Sequence, residues 1–225
     1  MTKILIIGGG AMGSAFSIPC HENKNKVTIT EPYSKAFIKN LSSKNKFHSA
    51  LKIKLSKKLR YKKFSQELLL EKFDLIVIAL SLSGIDFIGK ELKNLKIKTP
   101  ILVLTKGLKY EKKINKIFTI SELLKKKYNG INVSALKGPC LAKELARKNK
   151  TSVIIANKNI NIARWIGRHI STRYYLIEYS KDIIGVEVSS AIKNIYSMII
   201  GAGQSLNSSS NLFQKSLTEM KYLIK

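Results

Sequence analysis

Residues 3–15 read KILIIGGGAMGSA: an apolar run through Ile7, then Gly8-x-Gly10-x-x-Gly13, with an amphipathic stretch opening at Met12. A short, continuous, β-branched run fits a strand buried on both faces of a parallel sheet. The glycine spacing has a mechanism. One glycine makes the tight turn, the next lets backbone approach a pyrophosphate, and the third lets helix and strand pack closely. The anion then rests at the helix N-terminus, where N–H groups without helical partners and the macrodipole favour negative charge. Gly8, Gly10 and Gly13 are therefore read as a dinucleotide cradle. Glu31, 18 residues after Gly13 at the end of the next apolar run, stands close to the usual acidic position. A carboxylate there accepts from ribose hydroxyls and repels a 2′-phosphate, which favours NAD over NADP.

Outward from this unit, residues 27–30, 74–80, 101–104, 131–136 and 152–156 read as further buried strands. Helical patterns lie between them at 12–22, 34–41, 85–95, 114–127, 142–147 and 162–169. The alternation predicts an α/β fold, a doubly wound, mostly parallel sheet with helices on both faces. Residues 42–63 read as a solvated, Lys-rich connection with a short strand. After Tyr179 the character changes: 182–203 is one long helical pattern and 211–225 begins another. The chain thus divides into a dinucleotide-binding domain, 1–181, and the first part of an all-helical domain, 182–225, which is thin by itself. Such a helix pair leaves a face uncovered, so the reading expects association with another copy or poor stability.

The 225 residues are 44% hydrophobic and 24% charged, which excludes a disordered chain. Lys and Arg number 41 against 14 Asp and Glu, a formal net charge of +27. Only Arg60, Arg147, Arg164, Arg168 and Arg173 are arginines, and the lysines are spread through most surface stretches. Nucleic-acid readers lean on Arg for bidentate contacts. Solvated lysine faces are therefore the favoured reading, and a nucleic-acid or anionic-lipid partner the lesser one. Cys20 and Cys140 are too far apart for a Cys-x-x-Cys site and too few for a disulfide framework, so no metal site is expected. No apolar run approaches the length of a membrane span, and the start lacks the regions of a signal peptide. The expectation is a reduced, cytoplasmic protein.

Three further segments carry chemistry. Lys106, in Thr105-Lys106-Gly107, follows the strand at 101–104 and so lies at the carboxyl edge of the sheet, where ligands bind in open α/β folds. Gly138-Pro139-Cys140 follows another strand at the same edge, and its backbone N–H groups are candidates for an anion or a carbonyl oxygen. Lys193 sits inside the long late helix on a stripe with Ser189, Ser190 and Ser197, beside Asn194, a possible donor, while Val188, Ala191, Ile195 and Ile199 cover much of the rest. Periodicity alone favours a lysine that snorkels to solvent.

The motifs GGGAMGSA (8–15), LTKGL (104–108), KGPCLAKELA (137–146), IGVEVSSAIKN (184–194) and NLFQKSLTEM (211–220), in this order, resemble the bacterial-type NAD(P)-dependent glycerol-3-phosphate dehydrogenase family. The resemblance implies hydride transfer between NAD(P)H and dihydroxyacetone phosphate, or sn-glycerol 3-phosphate in reverse, supplying glycerol phosphate for phospholipid synthesis. It makes Lys193 the proton donor to the ketone oxygen, and Lys106 a shared contact to cofactor and substrate. Gly138, Cys140 and Asn194 would meet the phosphorylated substrate, and Ala11, Met12 and Ala142 the dinucleotide. A lysine among apolar side chains and near a second cation has its pKa lowered toward working pH, which suits that role. Departures from the family pattern are Cys140 where Ser or Thr is usual, Lys137 in place of Ser, Leu80 in place of Pro, and residues 204–210 in place of a glycine-rich connection. The family's later helices, with an acidic active-site residue and a Ser-Arg-Asn segment whose Arg grips the phosphate, are not in this chain. Completion by a separate C-terminal chain or by a second copy is therefore expected. The alternative is a relative that binds dinucleotide but turns over weakly.

Overall fold

The computed structural model describes residues 1–42, 46–127, 132–203 and 205–224. The elements run β1 (Lys3–Ile7), α1 (Ala11–Glu22), β2 (Lys26–Thr30), α2 (Lys35–Ser42), β3 (Phe47–His48), β4 (Ile53–Lys54), β5 (Arg60–Tyr61), α3 (Gln66–Leu70), β6 (Leu75–Ile78), α4 (Ile85–Asn94), β7 (Ile101–Val103), β8 (Leu108–Glu111), β9 (Lys116–Thr119), α5 (Ile120–Lys127), β10 (Val133–Lys137), α6 (Ala142–Ala146), β11 (Thr151–Ala156), α7 (Ile160–Ile170), β12 (Tyr175–Ser180), α8 (Ile183–Gly201) and α9 (Leu206–Ile224).

Eight strands form one sheet in the order β12-β11-β10-β7-β6-β1-β2-β5. Central β1 pairs in parallel with β2 on one side and β6 on the other, with Ile4 opposite both Val27 and Leu75. Its side chains alternate between two cores. Ile4 and Ile6 enter one with Phe16 and Cys20 of α1 and Ile166 of α7, while Leu5 and Ile7 enter the other with Ile85 and Ile88 of α4 and Leu124 of α5. These four side chains of β1 are fully buried, which is why the run after Lys3 is apolar without alternation. The chain order reverses at the β1–β6 boundary, and the crevice outside the carboxyl ends of strands at such a switch point is where ligands bind.

The doubly wound reading holds, with specific corrections. β10 and β11 run antiparallel, Leu136 opposite Ile155, because the five-residue α6 is too short to carry the chain back along the sheet. The helix expected over 114–127 is confined to Ile120–Lys127. Ahead of it Ile117, Phe118 and Thr119, β-branched and aromatic, form β9 of a hairpin that pairs Lys109 with Phe118. β12 was not foreseen; only part of its side chains are covered, so its apolar signal is diluted. Residues 46–63 hold three two-residue strands over buried Leu51, Leu55 and Leu59, so their lysines mask a real core contribution. The second late helix opens at Leu206 rather than 211, as Ser208, Ser209 and Ser210 continue into it. Positions 43–45 of the connection, Ile131 at the start of one expected strand, Gln204 of the late linker and the terminal Lys225 lie outside the described residues.

The long late helix is α8. By length and composition this 19-residue helix, mean hydropathy 1.3, is apolar enough to cross a membrane, although no uninterrupted apolar run exists there. Glu187, Ser190 and Lys193 break the run, and averaging hides them. α8 packs on β10, β11 and α5 with Ile183 and Glu187 buried, and α9 packs along it.

Candidate active site

The glycine turn is built as its spacing demands. Gly8 follows β1 at φ +112, where an added Cβ would meet the Ala79 carbonyl oxygen at 2.5 Å. Gly13 is packed so closely that a Cβ would stand 1.9 Å from the Gly8 carbonyl oxygen. Gly10 is the opposite case: a Cβ there meets nothing within 4 Å. Gly10 is also the N-cap of α1 and brings no side chain to cap the first-turn amides of Ala11 and Met12. That open cradle fits a diphosphate, since backbone can approach closely and the macrodipole favours the anion.

Glu31 ends just beyond β2 with its carboxylate on the same turn. Oε2 accepts from the Gly9 N–H at 2.9 Å and Oε1 from the Tyr33 N–H at 3.0 Å. An ionised carboxylate offers about four acceptor positions, so ribose hydroxyls would share Glu31 with backbone amides.

A cavity of ≈ 350 Å³ opens beside the turn at the carboxyl edge. Met12 and Ala142 line it from α1 and α6, Thr105 and Lys106 from the segment after β7, and Gly138 and Cys140 from the segment after β10. Three sequence-predicted segments, 8–15, 104–108 and 137–146, thus converge. Lys106 Nζ donates to the Gly138 carbonyl oxygen at 3.4 Å. Its pKa is lowered, first by the protein packed around its stem and then by the positive charge of Lys193; the Cys140 side chain opposes this. Burial pushes the Cys140 thiol up, partly countered by Lys106 and Lys193. Lys193 therefore acts electrostatically on both cavity residues from α8, although it is not in the cavity wall.

Three expectations need adjusting. The Cys140 N–H donates to the Gly138 carbonyl oxygen at 3.0 Å and Pro139 has no N–H, so neither of these two positions offers an amide to a ligand. Asn194 is exposed on α8, outside the cavity lining. Ile195 and Ile199, read as covering the helix around Lys193, are themselves exposed.

Sequence reasoning missed the polar residues beneath the site. Lys137, the last residue of β10, is buried, donates from Nζ to the Thr105 carbonyl oxygen, and lies 3.6 Å from Glu187 Oε1 of α8. Burial lowers its pKa to about 8 against the opposing pull of Glu187. Glu187 Oε2 in turn accepts from the Ser121 N–H of α5 at 3.0 Å. The signal available was the coincidence of two departures from apolar pattern, a Lys ending one buried strand and a Glu early in an apolar helix. His48, beneath the glycine turn, gave no signal in a Lys-rich stretch.

Comparison with known proteins agrees with this geometry. Residues 3–163 match the family described as NAD-dependent glycerol-3-phosphate dehydrogenase N-terminus. The NADP(+)-dependent glycerol-3-phosphate dehydrogenase of Archaeoglobus fulgidus is 30% identical over 203 residues, 88% of this chain and 59% of that protein. The glycerol-3-phosphate dehydrogenase [NAD(P)+] of Clostridium botulinum is 32% identical over 205 residues, 89% of this chain and 59% of that one. The chain thus spans about three fifths of the length of these curated relatives. The crystal structure of glycerol-3-phosphate dehydrogenase from Coxiella burnetii superposes with a TM-score of 0.82 at 22% identity, covering 99% of this chain and 68% of that one. The Plasmodium falciparum enzyme gives 0.84 at 21%, covering 97% and 64%. At such identities these likenesses establish the shared fold. With its glycine turn, its carboxyl-edge lysine and the matched stretch from β1 to the first turn of α7, the chain belongs to the NAD-dependent glycerol-3-phosphate dehydrogenase N-terminal family.

Proposed function

We propose that the chain binds a nicotinamide dinucleotide on its glycine turn and takes part in reducing a small phosphorylated ketone, dihydroxyacetone phosphate, to sn-glycerol 3-phosphate. The dinucleotide, when bound, supplies or accepts the hydride at the substrate's central carbon. The chain's own residues do the rest. The first-turn amides of α1 and the outward Gly10 receive the diphosphate. Glu31 meets ribose hydroxyls and disfavours a 2′-phosphate, so NAD is the preferred form. Lys193 gives a proton to the ketone oxygen as the alkoxide develops and takes it back in reverse. Lys106, bridging toward Gly138 and lying within the repulsive field of Lys193, places positive charge where substrate oxygen and phosphate sit; Gly138 and Cys140 shape that end. The proposed division is a dinucleotide-binding unit over 1–181 and the start of a helical unit over 182–225.

The observation that carries this reading is that Met12 of the dinucleotide turn, Lys106, Gly138 and Cys140 line one cavity, with Lys193 of α8 near enough to lower the pKa of Lys106. The test is NADH oxidation that depends on dihydroxyacetone phosphate and is lost in Lys193→Ala. A second reading, dinucleotide binding with weak turnover, is favoured by the exposure of Asn194 and Ile195 beside Lys193, which leaves the substrate side of the site wet. NADH binding with no turnover above the Lys193→Ala background selects it.

A further inference from the structure

Gly9, at the centre of the glycine turn, is held from every side. Its N–H donates to Glu31 Oε2 at 2.9 Å, and its carbonyl oxygen accepts from Ser14 Oγ at 2.7 Å. The Phe37 ring covers its Cα, so that an added Cβ would meet Cε1 at 2.6 Å. The same carbonyl oxygen lies 3.2 Å from Nε2 of His48, an imidazole only 1% exposed that packs edge-on against Phe37 with ring centroids 5.3 Å apart. The Leu51 N–H donates to His48 Nδ1 at 3.2 Å. A ring nitrogen that accepts carries no proton, so Nε2 carries it and donates to Gly9.

This contact has a geometric consequence. In a trans peptide the carbonyl and the following N–H point in opposite directions. A Gly9 carbonyl held inward by Ser14 and His48 turns the Gly10 N–H outward, into the open space before Gly10. We propose that His48 is a positioning residue of the dinucleotide cradle, holding the Gly9–Gly10 peptide so that the Gly10 N–H faces an incoming diphosphate. It touches no ligand and acts through Gly9. The role rests on the dinucleotide reading of the glycine turn and adds to it a residue from β3, in a segment the turn's own motif does not include.

The test is NADH affinity by fluorescence titration, with circular dichroism and thermal unfolding recorded for each variant. The unaltered chain binds NADH and Gly10→Val abolishes binding. His48→Leu weakens it by about five- to tenfold, the size of one hydrogen bond, while His48→Gln, whose amide N–H stands in for Nε2–H, restores it to within about twofold. Unchanged affinity in a folded His48→Leu protein overturns the proposal, and so does equal weakening in the Leu and Gln variants. The ¹⁵N spectrum of the unaltered chain decides independently of whether any variant folds: Nε2 protonated and Nδ1 bare supports the proposal, and the reverse tautomer or a doubly protonated ring at neutral pH overturns it. Absence of NADH binding by the unaltered chain removes the dinucleotide reading and this role together. Binding lost in Gly10→Val yet intact in His48→Leu removes the role of His48 alone.

Discussion

Lys137 Nζ and Glu187 Oε1 stand 3.6 Å apart with 4% and 1% of their side chains exposed, and through them β10 is tied to the helix that carries Lys193. The pair is one node of a larger tie. Lys137 also reaches the carbonyl of Thr105, the neighbour of Lys106, and Glu187 receives the Ser121 amide. Two charges taken out of water are costly unless their attraction and further hydrogen bonds compensate. Here the return is geometric: the segments bearing Lys106, Gly138 and Lys193 are fastened to one buried cation and its counter-ion.

A double-mutant cycle separates partnership from mere burial. Lys137→Met leaves Glu187 buried without a cation and is therefore expected to cost about 1 to 3 kcal/mol more of unfolding free energy when Glu187 is present than when it is Gln. Lys137→Met combined with Glu187→Gln, which keeps an acceptor for the Ser121 N–H, should recover most of that loss. Urea unfolding of the four proteins gives the coupling; losses that simply add would mean that the two side chains do not act on each other.

Lys137 also sets a pH dependence. Its pKa is about 8 in the folded chain against an ordinary 10.5. Below about pH 8 both folded and unfolded chains hold the proton and the penalty of burying the ammonium, at most about 3 kcal/mol, is present in full. Between the two values the unfolded chain binds more protons, so this group makes stability rise with pH. Unfolding free energy measured at about pH 7 and about pH 10 should therefore show a rise in the unaltered chain that Lys137→Met lacks. Parallel pH profiles for the two proteins would place the Lys137 ammonium in water.

Two of the motif glycines, Gly13 and Gly10, are expected to fail differently when substituted. In Gly13→Ala the new Cβ is forced against the Gly8 carbonyl oxygen, backbone that cannot yield cheaply, and a loss of several kcal/mol in stability is expected. Gly10→Ala has empty space before it, so its melting temperature should stay within about 2 °C of the unaltered chain. NADH affinity should nonetheless fall by about tenfold or more, because the methyl stands where the diphosphate approaches. Thermal unfolding and NADH titration of both variants check this, and a stable Gly13→Ala protein would contradict the packing described.

Where local pattern and tertiary role coincide, the sequence was sufficient. β1 is apolar because both its faces are covered, and Gly8, Gly10 and Gly13 each have the surroundings their spacing implies. Lys106, Gly138 and Cys140 meet at one cavity because each follows a strand that ends at the same edge. Legibility failed where the deciding partner is distant in sequence. Nothing near Lys137 reveals Glu187, 50 residues later, and nothing near His48 reveals Gly9. The hairpin of β8 and β9 was hidden by Ile114, Ile117 and Phe118, whose spacing also satisfies a helix. α8 was misread in the other direction, because exposed Ile195 and Ile199 mimic a core-facing stripe.

That exposed stripe leads to a prediction about association. On α8, Ile195, Met198 and Ile199 project outward, Met198 at 76% exposure, and on α9 Leu206, Phe213 and Leu217 do the same, with Leu206 at 89%. Each set recurs at three, four or seven residues, so each helix presents an apolar ridge on one side. Single exposed apolar residues are ordinary, whereas apolar residues repeated along one side of a helix are of the kind that another surface covers. The chain is therefore expected to self-associate at micromolar concentration, and Met198→Glu with Leu217→Glu should shift it toward monomer while leaving the β1–α1 unit folded. Size-exclusion chromatography with light scattering across a concentration series reads the outcome. A well-folded monomer at every concentration would mean that these side chains tolerate water, and that the ridge has no role in assembly.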